Sequence, residues 1–221
     1  MRTVAAALLL ALAPVLAFAV PAAATPVNAG PVPIGEVYVP GQVSVQADLD
    51  GDGTLEKVVS QPIAGNPDEQ LLITRVHGTR FTARAPLSSN VGIWKLVAVD
   101  VNGDGRDEVI VTESIGANTL RMSAWGLFGG LRPVIKTDGS VLNLWEGGGI
   151  SALSNYTCEP VGDSRRLVTV GGVLTDWEHG VYTGERVSYT VHEGLATESG
   201  RVQVVGPRNT ADFQADPAAC A

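Results

Sequence analysis

The chemistry of this chain is concentrated in one pattern that occurs twice, Asp-x-Asp/Asn-x-Asp-Gly-x-x-Glu. The first copy offers the carboxylates of Asp48, Asp50, Asp52 and Glu56 and the carbonyl of Thr54. The second offers the side chains of Asp100, Asn102, Asp104 and Glu108 and the carbonyl of Arg106. Donors at alternate positions of a tight loop aim at one point, and a glycine after the third donor lets the backbone turn sharply. A set made only of oxygens suits calcium, a hard cation that takes about six to eight of them. Without a cation the same carboxylates would repel one another and be costly to desolvate. Calcium at two sites is therefore expected. Every donor position is filled by protein, which leaves little room for an activated water, so both sites are expected to be structural.

An EF-hand begins in the same way but needs a glutamate at its twelfth position and flanking helices. Here that position is Val59 or Val111, and a β-branched stretch follows each loop. The loops therefore belong inside β-hairpins. Asp107 is expected to face solvent or to pair with Arg106. No other constellation is as specific. His77, His179 and His192 lack zinc-like spacing, and there is no Gly-x-Ser-x-Gly elbow. No catalytic residue is assigned. Asp176, Trp177, Glu178 and His179 are expected to form a solvated loop, with the alternative that a small hydrolase could use its two acids and histidine. Trp94 and Trp125 fall in strand patterns and are expected in the core. Trp145 and Trp177 are expected in the core as well, with the alternative that, near turns and beside acids, an exposed indole could stack on sugar rings.

The elements that position these loops read as strands. Polar and apolar residues alternate with period two, as in Val43–Ala47 and Arg186–Val191, and no amphipathic helix stands out. The acidic loops are part of an internal repeat. Residues 48–59 and 100–111 are identical at six of twelve positions, at an offset of 52 residues. A worn third copy follows near Glu159, with Val161 where the second carboxylate should stand, so no metal is expected there. Each copy parses into four strands. The first set is Val43–Ala47, Lys57–Gln61, Leu71–His77 and Phe81–Ala85. The second is Trp94–Val99, Val109–Glu113, Thr119–Trp125 and Leu131–Lys136. The third is Ile150–Tyr156, Leu167–Leu174, Arg186–Val191 and Arg201–Val205. The fold class is thus all-β, with three four-stranded antiparallel, propeller-blade-like repeats at residues 41–87, 92–138 and 148–206. Propellers usually have about four to eight blades, so three suggest an open or partial ring, or one completed by a homodimer. Glu36–Val39 is a candidate extra strand covering an edge.

On residues 48–59 and 100–111 the sequence resembles the FG-GAP/VCBS repeat family, whose calcium-loop blades also build integrin-type propellers. The resemblance implies calcium held in the hairpin between the first two strands of a blade. The ninth loop position departs from the family's usual aspartate, being Glu56 or Glu108. Phe128-Gly129 falls at the wrong distance from the next loop to serve as a Phe-Gly element.

Composition bounds the rest. With 45% hydrophobic and 17% charged residues in 221, the chain is globular and about one domain long. Its net charge of −8 argues against nucleic acid and anionic lipid as partners. Residues 1–24 read as a signal peptide: Arg2, an apolar run, then a small-residue exit at Ala22-Ala23-Ala24. A flexible lead-in at 25–35 precedes a β-repeat domain at 36–206. The two cysteines of an exported chain, Cys158 and Cys220, suggest one disulfide that ties down the tail at 207–221. That bridge would staple the unit whose loop has lost its ligands. The expectation is a secreted or cell-surface, non-catalytic interaction or scaffold module with an extracellular protein or glycan as partner. The alternatives are a lectin-like protein and a small secreted hydrolase.

Overall fold

The computed structural model describes residues 40–88 and 92–221. The leader, the lead-in and the strand expected at Glu36–Val39 lie outside the described residues. Fourteen strands are described, in two sheets. β1 (Val43–Ala47), β2 (Glu56–Ile63), β3 (Asn66–Val76) and β4 (Thr79–Pro86) form an antiparallel meander in chain order. This is the first predicted unit, with strand positions as read from the alternation. β2 shows the cause: Glu56, Val58 and Ser60 are buried while Lys57 is exposed, because successive side chains point to opposite faces of a strand.

The second sheet contains β5 (Val97–Val99), β6 (Glu108–Ile115), β7 (Thr119–Leu127), β8 (Leu131–Pro133), β9 (Ile135–Lys136), β10 (Leu144–Gly147), β11 (Ala152–Val161), β12 (Ser164–Asp176), β13 (Val181–His192) and β14 (Leu195–Pro207). Here the expectation of separate second and third blades is not met, since one ten-stranded sheet holds both sets. The cause lies in the strand expected at Leu131–Lys136. It divides at Val134, whose N–H still donates to the Ala124 carbonyl of β7 at 2.8 Å, while Ile135 N–H turns to the Gly194 carbonyl at 2.8 Å. Its first half pairs with the C-terminal half of β7, and its second half pairs in parallel with β14. The place beside the N-terminal half of β7 goes to β10, a short strand the pattern did not mark. β10 meets β11 at Gly147 and Ser154, which fuses the two units. The worn third loop is a two-residue turn, Gly162-Asp163, between β11 and β12.

Three apolar clusters hold the sheets. One joins Leu49, Val58, Leu72 and Ala85 of the first unit to Val109, Val111 and Trp125 of the second. Another gathers Val99, Val101, Ile110, Met122, Tyr156, Leu167 and Val187 around Cys158 and Cys220. β6 is buried on both faces because it contributes to both clusters. Gln70, with no exposed surface, links the sheets as well. Its amide donates to the carbonyls of Pro86 and Thr112, and its oxygen accepts from Ser60 Oγ. Buried amides need such partners. Phe213, in a 3-10 turn at Ala211–Phe213, packs the tail against Leu153, Val168, Val170, Tyr182 and Val204. Trp125 is buried as expected, but Trp94 is 42% exposed, because its segment is irregular until Val97.

Candidate metal centre

Both acidic loops fold by the same hydrogen bonds, repeated at the offset of 52. Asp48 accepts from Gly51 N–H at 2.8 Å through one oxygen and from Gly53 N–H at 2.8 Å through the other. Asp100 accepts from Gly103 N–H at 2.6 Å and Gly105 N–H at 3.1 Å in the same way. Asp52 accepts from Thr54 N–H, and Asp104 from Arg106 N–H. Glu56 reaches back to Leu49 N–H at 3.0 Å, and Glu108 to Val101 N–H at 3.1 Å. Each loop is closed by its first and last acids, and this part is local chemistry that the spacing encodes.

The loops differ in the charges they gather. Ligand atoms of Asp48, Asp50 and Glu56 lie within 4.8 Å of one another, as do those of Asp50, Asp52 and His77. His77 is the neighbour that spacing missed. It sits at the β3–β4 turn with φ 49° and its imidazole 2.8 Å from Asp52, which raises its pKa and lowers that of Asp52. In loop two, Asp104 instead takes the guanidinium of Arg106 at 3.1 Å and the amide of Asn102 at 3.0 Å. Arg106 also pairs with Glu193 at 2.7 Å, at the tip of the β13–β14 turn with φ 47°. His77-Gly78 and Glu193-Gly194 are both two-residue hairpin turns with positive φ at each position. The X-Gly pair between strands was the available signal. A non-glycine residue there is uncommon and strained.

The ninth-position glutamates are the buried carboxylates of the two sets. Glu108 is 1% exposed, and burial pushes its carboxyl up to about 8, with the charges of Asp104 and Asp100 adding to the shift. Burial likewise raises Glu56, with help from Asp50, Asp52 and Asp48. A neighbouring cation would reverse that pressure.

Each loop is also docked on the next unit. Asp107 does not face solvent as expected. Its N–H donates to the Asp48 carbonyl at 2.6 Å, and its carboxylate accepts from Asp48 N–H at 2.8 Å. Loop two has different partners for the same groups: Asp100 N–H donates to the Cys220 carbonyl, and Arg165 donates to the Asp100 carbonyl. A side chain on Gly51 would meet the Arg106 side chain at 2.9 Å, and one on Gly103 would meet the backbone of Arg165 at 2.9 Å and of Ser164 at 3.1 Å. The third unit therefore keeps the packing of the repeat. We expect Gly103→Ala to destabilise the protein by about 2–4 kcal/mol, and Gly105→Ala by about 1 kcal/mol. Both positions have positive φ, but only Gly103 has backbone in the way. Equal losses in denaturant unfolding would contradict the docking.

Residues 48–111 match the FG-GAP-like repeat. The match begins at the first donor of loop one and ends just past loop two. An FG-GAP repeat points to a β-repeat interaction module of a generally non-enzymatic family, commonly calcium-binding and typically extracellular. No curated protein and no solved structure matches the chain. Among the described residues no helix is long and apolar enough to cross a membrane. The Asp176–His179 loop resolves into turn chemistry: Asp176 accepts from Glu178 N–H and His179 N–H and pairs with the His179 ring. Asn155 donates its amide to the Ala215 carbonyl at 2.8 Å, which holds the tail on β11. Cys158 and Cys220 are bonded to each other.

Proposed function

We propose that this chain is an exported, calcium-binding β-repeat module that acts by interaction and not by catalysis. One observation carries the reading: the same loop frame occurs twice and in loop one brings three carboxylates within 4.8 Å. The donors fit the ion, since all are oxygens and none is soft. Asp48, Asp50, Asp52, Glu56 and the Thr54 carbonyl would hold the first calcium. Asp100, Asn102, Asp104, Glu108 and the Arg106 carbonyl would hold the second. The ion would supply charge neutralisation and fix each hairpin. Loop one is the tighter site, because it offers four carboxylates against three in loop two. The leader at residues 1–24 and the Cys158–Cys220 bridge support export. The partner is then an extracellular protein or glycan, and the net charge of −8 argues against nucleic acid.

Calcium titration calorimetry tests this, with melting followed in calcium and in chelator. Two binding events are expected, at about 10⁻⁴–10⁻³ M. At about 100-fold excess over Kd, each site adds about 2.7 kcal/mol, or roughly 5–10 °C in Tm. Absence of heat at 10 mM calcium (about tenfold above the weaker limit), with unchanged melting in chelator, would remove the reading.

A further inference from the structure

A groove of about 350 Å³ opens across β10 to β13, within the roughly 300–1,000 Å³ of small-ligand sites. Its lining includes Trp145, Asn143, Thr169, Gly171, Thr183 and Glu185, and no residue of either acidic loop. The groove exists because β10 and β11 pair only at Gly147 and Ser154 and then part. Trp145 is 44% exposed there.

Gly171 indicates that the space is kept open. A Cβ on Gly184 would lie 2.0 Å from the Gly171 carbonyl oxygen, and one on Gly172 would press on Phe213 at 3.0 Å. Packing therefore explains both of those glycines. Gly171 has no such reason: a Cβ there meets nothing within 4 Å, and its φ is not positive. What its missing side chain provides is depth. The lining holds no cation, which disfavours an anionic ligand, and its one acid, Glu185, shares Arg201 with Glu198. An indole face, hydroxyls, two carboxamides and an acceptor carboxylate, with no cation among them, together fit an uncharged ligand with one apolar face and many hydroxyls.

We propose that this groove binds a pyranose ring of a neutral glycan, with the ring's C–H face on Trp145 and its hydroxyls on Asn143, Thr169 and Glu185. The site names a partner class for the interaction reading but does not rest on calcium. The test is titration calorimetry of the disulfide-bonded chain in millimolar calcium with cellohexaose, maltohexaose and chitohexaose, and with polygalacturonate as an anionic control. At least one neutral oligosaccharide should bind saturably. Trp145→Ala and Gly171→Leu should each weaken it at least tenfold, while Trp177→Ala, outside the groove, should not. Gly171→Leu should melt as the parent does. If that variant fails to fold, the exposed Trp145→Ala decides. Binding of none of the three, equal binding by both groove variants, or binding of polygalacturonate alone would overturn the proposal. Calcium affinity measured on the same variants separates the two readings, since a failed groove leaves both loops titrating.

Discussion

Replacing Cys220 by serine is expected to lower the melting temperature by roughly 8–16 °C. The bridge to Cys158 spans 62 residues of sequence. A loop of that length is worth about 4 kcal/mol in the chain-entropy account, and each kcal/mol moves Tm by about 2–4 °C in a chain of this size. The structure adds a location for the damage. Both cysteines are buried in the cluster that also holds Val101 of loop two. The Cys220 carbonyl accepts from Asp100 N–H and from Arg165, each at 3.0 Å. Loosening the tail therefore frees the first residue of loop two. Amide exchange should accelerate first at Asp100 and along β11, while β2 and β3 keep their protection until global unfolding. Calcium affinity should fall at loop two and hold at loop one. A uniform loss of protection would contradict the local placement of the damage, and a Tm change below about 3 °C would show that the bridge adds little to stability.

Asp48→Ala is expected to abolish calcium binding at loop one and to cost about 2–4 kcal/mol even without calcium. Its two oxygens hold the N–H groups of Gly51 and Gly53. Hydrogen bonds to a charged group contribute about 1.5–3 kcal/mol each, less where water can replace them, as it can here. The backbone of Asp48 remains paired with Asp107, so the loop should stay attached while losing its internal frame. Calorimetry of the variant should show one event where the parent shows two, with the affinity of the remaining site changed by less than about threefold. Asp100→Ala should remove the other, weaker event. If Asp48→Ala left both events in place, loop one would be an acidic turn held by ordinary Asp-Gly geometry.

The strands of the first unit were legible because they obey period two and are separated by Gly-containing turns. The loop frame was legible for a related reason: every bond within it spans two to seven residues. The third unit was legible as strands but not as a place. Its strands are a plain meander, and the alternation of β12 and β13 says nothing about which strand stands beside Ala152.

Sequence pattern alone therefore settles the all-β class, the two oxygen-rich loops and the likeness between the repeats, since these depend on chemistry within a few residues. Tertiary structure decides the rest. The strand expected at 131–136 divides at Val134, and the open side of β7 takes Leu144–Gly147, whose backbone gives its buried N–H and C=O groups partners. His77 reaches Asp52 across 25 residues, Asp107 reaches Asp48 across 59 and Arg165 reaches Asp100 across 65. No spacing rule encodes such contacts. They arise when buried clusters lock the sheets together and polar groups at their margins find the partners left within reach.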